Sequence, residues 1–408
     1  MKKVLYISYD GMTDPLGQSQ VMPYLVGLSS QGYHFTILSF EKKSRYEKER
    51  KIIERIAAGS AISWRPLFFT KNPPVLSKIY DRWKLKRTVR KLMKEQPFDM
   101  IHCRSYIAAE AGLWLKKKYG IKFLFDMRGF WADEKVDSGS WNQSNFFFRR
   151  VYRHYKKKEK QFLLAADGIV SLTHAAKAEL LKNKEYSHLD IDVIPCCADL
   201  DHFDYKNIRS DFAAGLREQT GIPAESKIIT YLGSVGGWYM VDEMFDFLKR
   251  LLVKRPEFVM LFLTKDDPGA VKERAAARGI PPDKMVVLYA GRNELPDYLS
   301  LSDCSIFFIR PTYSKIASSP TKHGELMGMG IPVICNSIGD TGQVINESHS
   351  GIIVTEFTEA AYDQAADKMN ELLAMSKENI RQGAFTFFDL EKGVIQYITI
   401  YKKIFRQL

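Results

Sequence analysis

The stretch at residues 319–334 reads SPTKHGELMGMGIPVI and predicts a short helix that leads into a buried strand. A helix that begins near Pro320 presents free N–H groups and the positive end of its dipole, which together suit a phosphate. Lys322 would add a positive charge there. Glu325, three residues later on the same face, would offer acceptor oxygens to a vicinal diol such as a ribose. The alternative is an ordinary helix start with a lysine and a glutamate in solvent.

Apolar runs of strand length alternate with amphipathic segments along the whole chain, and they form two series. This alternation is typical of parallel sheets with crossover helices. We therefore predict an α/β fold with two Rossmann-like domains whose parallel sheets face a central cleft, and ligands at the carboxyl ends of the strands. The predicted strands are 4–8, 35–40, 62–69, 100–103, 123–126, 168–172 and 191–195 in the first series, and 228–233, 259–263, 285–289, 304–309, 332–336 and 351–354 in the second.

A polar stretch without a predicted strand separates the two series. It predicts an N-terminal domain at 1–203, a linker at 204–226 with a short helix near 210–220, and a C-terminal domain at 227–387. A last helix within about 388–408 has an apolar stripe, and its periodicity leaves open which domain it packs against. The length of 408 residues is too great for one ordinary core and agrees with two domains.

The composition indicates a globular protein with an anionic partner, because the net charge is +12. Met1-Lys2-Lys3 leads straight into a strand without the features of a signal peptide, and no window approaches about 18 uninterrupted apolar residues. We therefore expect a cytoplasmic protein without a membrane-spanning helix. The five cysteines lack metal-ligand spacing, and reduced thiols are the simplest interpretation.

Two basic segments with aromatic residues bear on the nature of that partner. Residues 78–94 read KIYDRWKLKRTVRKLMK, and residues 149–160 read RRVYRHYKKKEK after three phenylalanines. Basic amphipathic helices with aromatic residues suit an anionic membrane surface. A solvated helix that covers a sheet is an equally good interpretation. Nucleic acid is not expected as a partner, since no nucleic-acid-binding signature accompanies the charge.

The loop after the first predicted strand, residues 10–20, contains Gly17, which would let the backbone approach a ligand. It does not match G-x-G-x-x-G, and this argues against a nicotinamide or flavin cofactor. An ordinary turn is the alternative interpretation of this loop.

A second candidate loop, residues 125–134, follows the strand at 123–126 and contains Arg128, Asp133 and Glu134. Loops at the carboxyl ends of strands often carry function. The alternative is that the aromatic residues of this loop pack beneath it while Asp133 caps the next helix. His102 ends the preceding strand and could line the same cleft or serve the structure.

In the second series, residues 231–238 repeat the strand and glycine-loop pattern, and the loop at 290–299 could hold a flat base through its main chain. Asp266 and Asp267 suggest a solvated turn more than a metal site. Because no cluster of histidine and carboxylate residues has ligand spacing, we predict no metal.

The order and spacing of these features resemble the retaining glycosyltransferases of the GT-B fold, in particular family 4 (glycosyl transferases group 1), which uses nucleotide-activated sugars. The resemblance covers essentially the whole chain. It implies an acceptor-binding N-terminal domain, a nucleotide-sugar donor-binding C-terminal domain, and a last helix at about 388–408 that returns to the N-terminal domain. It is carried by residues 11–18, 98–102, 193–195, 231–233 and 295–303 and by the S-P-x-K-x-x-E block followed by G-x-P-V-I.

The resemblance implies that Glu325 binds the ribose hydroxyls and that Lys322 and nearby backbone amides hold the diphosphate. It also implies that Arg292 and its neighbours contact the base through their main chain. It implies no metal and no other cofactor, since lysine, arginine and helix ends offset the charge of the leaving diphosphate. The implied donor-binding residues are Gly17, Gln18, Gly233, Arg292, Ser319, Thr321, Lys322 and Glu325.

The implied activity is transfer of a sugar from a nucleotide diphosphate sugar to a lipid-linked glycan acceptor in cell-envelope polysaccharide synthesis, with retention of configuration, on the inner face of the cell membrane. A nucleotide-sugar epimerase of similar architecture and a non-catalytic nucleotide-sugar-binding regulator are the alternatives. The implied catalytic residues are Arg128, Asp133, Glu134 and Lys322, and those on the acceptor side are His102, Arg104 and Asp14.

Three positions depart from the family pattern. Ala317 stands where members with two motif glutamates carry the first one, and Arg128 stands where many carry a histidine. Residues 233–241 lack the arginine and lysine that many members place there. We therefore expect Lys322, with Lys315 or Arg310, to supply the charge that holds the diphosphate.

Overall fold

The computed structural model describes residues 1–208 and 210–406. The chain divides into two compact units, the first formed by Met1–Pro195 with the segment from Leu390 onwards, and the second by Cys196–Asp389.

The first unit has a seven-stranded parallel sheet in the order β3-β2-β1-β4-β5-β6-β7. Its central strands are buried on both faces, which explains why they appear in the sequence as continuous apolar runs. The strands are β1 Lys2–Ser8, β2 Tyr33–Glu41, β3 Ile62–Phe68, β4 Met100–Arg104, β5 Lys122–Asp126, β6 Gly168–Ser171 and β7 Ile191–Val193. The helices between them are α1 Pro15–Gln20, α2 Met22–Ser29, α3 Lys43–Ala58, α4 Pro74–Glu95, α5 Ser105–Tyr119, α6 Trp131–Asp137, α7 Phe146–Ala165 and α8 His174–Leu181.

The second unit has a six-stranded parallel sheet in the order β10-β9-β8-β11-β12-β13. The strands are β8 Lys227–Leu232, β9 Phe258–Leu263, β10 Met285–Leu288, β11 Cys304–Phe307, β12 Val333–Cys335 and β13 Gly351–Ile353. The helices are α9 Ser210–Thr220, α10 Val241–Lys254, α11 Pro268–Ala277, α12 Leu295–Leu299, α13 Thr321–Gly328, α14 Thr341–Ser348, α15 Glu359–Asp367, α16 Met369–Leu373 and α17 Lys377–Phe387, with 3-10 turns at Tyr205–Asn207, Pro282–Lys284 and Tyr313–Ala317.

All thirteen predicted strands are present, with bounds that differ by at most two residues from those predicted. The predicted α/β class with two parallel sheets is confirmed, and so is the short helix near 210–220.

The last helix, α18 Leu390–Arg406, belongs to the first unit. Its Val394 side chain packs against Gly27 of α2, so closely that a Cβ added to Gly27 would lie 2.8 Å from it. Further along, the Tyr397 ring packs against Tyr24, and the Tyr401 hydroxyl lies 2.8 Å from His102 Nδ1. The helix therefore packs on α2 and reaches the middle of β4 at His102.

Arg381 of α17 joins the start of the second unit to α13. Its guanidinium donates to the carbonyl oxygens of Phe203 and Gly328 at 2.6 Å and of Leu200 at 2.8 Å, and it pairs with Asp204. The side chain is buried. It therefore satisfies carbonyl groups that would otherwise be buried without a partner, one of them at the end of α13.

Within the described ranges, no helix combines the length and the apolar character that crossing a lipid bilayer requires.

Candidate active site

The stretch at 319–334 folds as predicted. Helix α13 begins at Thr321 after an extended Pro320, Gly330 takes the left-handed conformation (φ 65°) that ends it, and β12 follows. Lys322 and Glu325 are both only 7 % exposed, so neither is the solvated surface residue that the alternative interpretation required.

Glu325 is held by Arg292, whose Nη1 lies 3.3 Å from Glu325 Oε1. Burial raises the pKa of Glu325, and Arg292 opposes this effect. The Arg292 carbonyl oxygen already has a hydrogen-bonding partner, because His202 Nε2 lies 3.0 Å from it. The resemblance implies a main-chain contact of Arg292 with the base, and the structure brings the Arg292 guanidinium to Glu325.

Lys322 has an unusual environment for a lysine. Its Nζ is buried and has no hydrogen-bond partner among the described residues. It lies 3.5 Å from the ring centroid of Tyr239 and 4.3 Å from that of Tyr231. A Cβ on Gly233 would lie 2.9 Å from Nζ, so the ammonium group rests against the glycine. Burial lowers the pKa of Lys322 well below its usual value, and Glu325 opposes this.

The glycine loop after β8 is fixed by a carboxylate from the next loop. Asp266 Oδ2 accepts hydrogen bonds from the backbone N–H of Val235 and from the Thr264 hydroxyl. Asp267 caps α11 through the Ala270 N–H. Both aspartates therefore have structural partners, and in the part of the chain that the structure describes no three His, Cys, Asp or Glu residues are grouped as a metal site.

Other residues of the motif and its flanks also have partners within the second unit. Ser319 Oγ accepts a hydrogen bond from the Cys196 N–H at 3.1 Å. Thr321 occupies the first turn of α13. Lys315 is buried, with its Nζ 3.9 Å from the ring centroid of Trp238, whereas Arg310 is exposed.

His323, between Lys322 and Glu325, was not singled out from the sequence. It is fully buried against the rings of Phe307 and Phe388, and neither ring nitrogen has a hydrogen-bond partner among the described residues. Burial lowers its pKa to about 3. It therefore packs as a neutral ring at neutral pH.

In the first unit, the loop after β1 is anchored by Glu41, which the sequence analysis missed. The buried Glu41 carboxylate accepts from the N–H groups of Met12 and Thr13 and from the hydroxyls of Thr13 and Ser39. A Cβ on Gly17 would lie 2.2 Å from the Gly11 carbonyl oxygen. Gly17 is therefore required by contacts within this loop.

The neighbours of Gly17 are engaged locally too. The Gln18 side chain donates to the Thr13 carbonyl oxygen at 3.3 Å. Asp14 forms ion pairs with Lys42 at 3.0 Å and Arg45 at 3.1 Å.

At the ends of the neighbouring strands β4 and β5, the structure brings together three of the predicted residues around Asp126. His102 Nε2 lies 3.6 Å from an Asp126 oxygen, and guanidinium nitrogens of Arg104 and Arg128 each lie 3.8 Å from the carboxylate. Arg128 and Ser105 have positive φ angles of 57° and 65°. Non-glycine residues with positive φ are uncommon and concentrate at functional sites.

The buried charges of this cluster influence one another. Burial alone would raise the pKa of Asp126, but Arg128, His102 and Arg104 together lower it. Burial lowers the pKa of His102. The cluster therefore presents an ionised carboxylate, two arginines and a neutral histidine at neutral pH.

Asp133 lies in a different, structural network. Its two oxygens accept from the Tyr152 hydroxyl at 2.8 Å and from Lys156 Nζ at 2.9 Å. Lys156 also binds the buried Glu159, which bonds the Tyr106 hydroxyl. Asp133 does not cap α6, whose cap position is Phe130, and Glu134 is partly buried in the first turn. The network fixes α6 against α7.

Sequence reasoning also missed Tyr231, Tyr239 and Asp126. One signal was available for the tyrosines, since they stand on either side of the glycine loop at 233–237. The sequence indicates only that Asp126 ends a strand, because nothing in it shows that Arg104 at the end of β4 and Arg128 after β5 converge on its carboxylate.

Family models match most of the chain. The model described as Glycosyltransferase Family 4 matches residues 21–202, and the model described as Glycosyl transferases group 1 matches residues 214–385.

Curated relatives include two proteins named D-inositol 3-phosphate glycosyltransferase. The one from Xylanimonas cellulosilytica is 26 % identical over 55 % of this chain and 53 % of its own length. The one from Rhodococcus jostii is 20 % identical over 69 % of this chain and 61 % of its own length. The chain thus spans between half and two thirds of the length of these relatives.

Several solved structures share the fold across the chain. A glycosyltransferase from Rickettsia africae has a TM-score of 0.71 at 19 % identity and covers 100 % of this chain and 99 % of its own. Anabaena Alr3699/HepE in complex with UDP and glucose has a TM-score of 0.72 at 12 % identity and covers 98 % and 100 %. A UDP-N-acetylglucosamine 2-epimerase described as putative, from Listeria monocytogenes, has a TM-score of 0.59 at 14 % identity and covers 100 % and 97 %. With both family models matched in order along one GT-B fold, the chain belongs to glycosyltransferase family 4.

Proposed function

We propose that this protein transfers a sugar from a nucleoside diphosphate sugar to a lipid-linked glycan acceptor in cell-envelope polysaccharide synthesis, with retention of anomeric configuration. The observation that carries the proposal is the buried pair of Lys322 and Glu325 on the first turns of α13, beside the glycine loop after β8. A buried cation without a hydrogen-bond partner is costly unless a ligand uses it. A diphosphate is the ligand that a helix start, a lysine and a glycine loop suit best.

On the donor side, Lys322 would offset the charge that develops on the leaving diphosphate, and no metal is needed for that role. Glu325 would accept hydrogen bonds from the ribose hydroxyls, with Arg292 as its partner when no donor is bound. Gly233, Ser319 and Thr321 border this site in the proposal. Gly17 and Gln18 are proposed to shape the loop after β1.

The donor assignment is tested by calorimetry with UDP, GDP and ADP and their glucose conjugates. Lys322→Met should abolish turnover, and Glu325→Gln should weaken donor binding by roughly 1–3 kcal/mol, the usual cost of leaving a hydrogen-bonding partner unmatched. Lys272→Met and Glu273→Gln on the exposed face of α11 are matched controls that should bind the donor like the wild type. Substantial turnover by Lys322→Met would show that the pocket has been misread.

On the acceptor side, we propose that His102, Arg104 and Arg128 orient the polar head of the acceptor, with Asp126 as the carboxylate that holds both arginines in place. Asp14 would act through Lys42 and Arg45 rather than on the substrate.

Glu134 remains a proposed contact to the transferred sugar, whereas Asp133 is proposed to position α6. Asp133→Asn should lower the thermal stability and leave the KM values for donor and acceptor nearly unchanged, because the partners of Asp133, Tyr152 and Lys156, are structural.

Dependence on an acceptor separates this proposal from its alternatives. A transferase consumes the donor at a rate that rises with added glycan acceptor, and NMR of the product reports the retained configuration. Donor turnover that is indifferent to every acceptor would favour a nucleotide-sugar epimerase, a function compatible with the same fold. Tight donor binding without turnover would favour a non-catalytic regulator.

An anionic membrane surface is proposed as the site of action. On α4, four apolar or aromatic residues at helical spacing are 49–62 % exposed, namely Leu76, Ile79, Tyr80 and Trp83. Basic residues accompany them, with Lys84 Nζ 5.1 Å from the Tyr80 ring and the Arg87 guanidinium 5.3 Å from the Trp83 ring. Exposed apolar residues beside basic ones are the pattern of a helix that lies in a membrane interface.

Flotation with phosphatidylcholine vesicles, with and without phosphatidylglycerol, tests this surface. The double variant Ile79→Ser and Trp83→Ser should lose binding to the anionic vesicles, while Val253→Ser, at a position 75 % exposed on α10, should keep it. Equal flotation of all three proteins would contradict the proposal. Lys156 is unsuitable for a charge-reversal test, because its ion pairs with Asp133 and Glu159 serve the fold.

A further inference from the structure

The ammonium group of Lys322 is held by aromatic rings and not by a carboxylate. Its Nζ lies 3.5 Å from the Tyr239 centroid and 4.3 Å from the Tyr231 centroid, and it has no hydrogen-bond partner among the residues described. The negative faces of aromatic rings attract a cation at such distances, and the attraction is stronger where water is excluded.

The two tyrosines are themselves fixed at the two ends of the glycine loop. Tyr231 is a fully buried residue of β8, and its hydroxyl donates to the Ser234 carbonyl oxygen at 2.5 Å. Tyr239 forms an antiparallel bridge with Ile309 just before α10. Between them, Gly233 leaves the space that the ammonium group occupies.

A lysine held by the rings of Tyr231 and Tyr239 and a lysine held by an ion pair differ in how they meet an anionic ligand. A carboxylate partner would cancel the charge of the lysine, and a phosphate would have to compete with it. Ring faces hold the Lys322 side chain in place without a competing anion, so an incoming phosphate has no carboxylate to displace.

We propose that Tyr231 and Tyr239 are positioning residues that hold the Lys322 ammonium at the glycine loop for the diphosphate of the donor. This rests on the proposed function. It also fits the absence of a basic pair from residues 233–241, since Lys322 is the cation that lies against Gly233 of this loop.

The test is a mutant cycle with UDP, GDP and ADP as calorimetric probes, carried through with whichever nucleotide binds the wild type most tightly. Tyr239→Leu removes the ring face and should weaken binding on the order of tenfold, whereas Tyr239→Phe keeps the face and should stay within about threefold. In the Lys322→Met background, Tyr239→Leu should add less than about twofold, because the interaction it removes is already gone. Tyr205→Leu is the matched control, since Lys206 and Lys377 lie over the Tyr205 ring away from this site.

The outcomes separate this inference from the proposed function. If the wild type binds none of the three nucleotides, both the proposed donor site and the proposed role of the two tyrosines are refuted. If the wild type and Tyr239→Leu bind equally well while Lys322→Met does not bind, only the positioning role of the tyrosines is refuted. Equal losses from Tyr239→Leu with and without Lys322 would also refute it, because the tyrosine would then serve the fold alone.

Discussion

Replacing His323 with leucine should make the second unit less sensitive to acid. His323 is fully buried, and burial lowers its pKa from 6.5 to about 3. Below pH 6.5 the unfolded chain therefore binds a proton at this residue that the folded chain does not bind. The free energy of unfolding is therefore unaffected by His323 above pH 6.5 and decreases as the pH falls from 6.5 toward 3.

The magnitude follows from that difference in pKa. At pH 5 the unfolded histidine is about 1.5 units below its midpoint, and each unit costs about 1.4 kcal/mol, so the wild type should lose about 2 kcal/mol between pH 7.5 and pH 5 through this residue. Leucine cannot titrate and has a similar volume, and it removes two ring nitrogens that have no partner among the described residues. His323→Leu should therefore lack this loss and should be at least as stable as the wild type at neutral pH.

Native-state hydrogen exchange followed by mass spectrometry measures this locally. Peptides from β9, a fully buried strand that is paired on both sides, report the opening free energy of the second unit after correction for intrinsic exchange rates. The difference between wild type and variant at each pH cancels the other titrating groups. The same pH dependence in both proteins would refute the assignment of a neutral buried ring.

Three further variants test other parts of the structure. Arg381→Met should destabilise the second unit by about 3–5 kcal/mol, because it leaves buried carbonyl groups without a partner. Arg278→Met, which removes exposed ion pairs on the same unit, should cost less than about 1 kcal/mol. Equal losses of stability for the two variants in chemical denaturation would contradict this. Gly17→Ala should destabilise the first unit by about 1–3 kcal/mol through its clash with the Gly11 carbonyl, while Gly59→Ala, with its nearest neighbour at 3.7 Å, should be tolerated, as thermal unfolding will show. Glu41→Gln should loosen the loop at Met12 and Thr13 and speed hydrogen exchange of those two amides, and unchanged protection would mean that the carboxylate is not their anchor.

The architecture could be predicted because its signals are local. A parallel sheet buries its strands on both faces, so each strand appears as a short apolar run, and all thirteen were found in this way. The start and end of α13 were equally readable, since a proline before the helix and a glycine after it act through their own backbone preferences.

The partners of the site residues could not be predicted, because they come from distant parts of the chain. Lys322 meets Tyr231 and Tyr239 across more than eighty positions, and Asp126 at the end of β5 meets Arg104 from the end of β4 as well as its near neighbour Arg128. Sequence spacing reports which face of one helix a residue occupies, and it contains no information on which loop lies opposite. The environment that decides the charge of a side chain is therefore visible only after folding.

The membership of α18 in the first unit has a consequence for how the protein is made. Tyr397 and Tyr401 complete the surroundings of His102, yet they are synthesised after the whole of the second unit. The second unit is contiguous, and its two ends are joined by a hydrogen bond of 2.7 Å from the Ala198 N–H to the Phe388 carbonyl. The whole of the second unit is therefore synthesised before α18, whereas α2 and β4 of the first unit lack their covering helix until the last segment emerges. Removal of α18 should therefore expose the surface of α2 and β4 that it covers, and this surface would become a site for proteases.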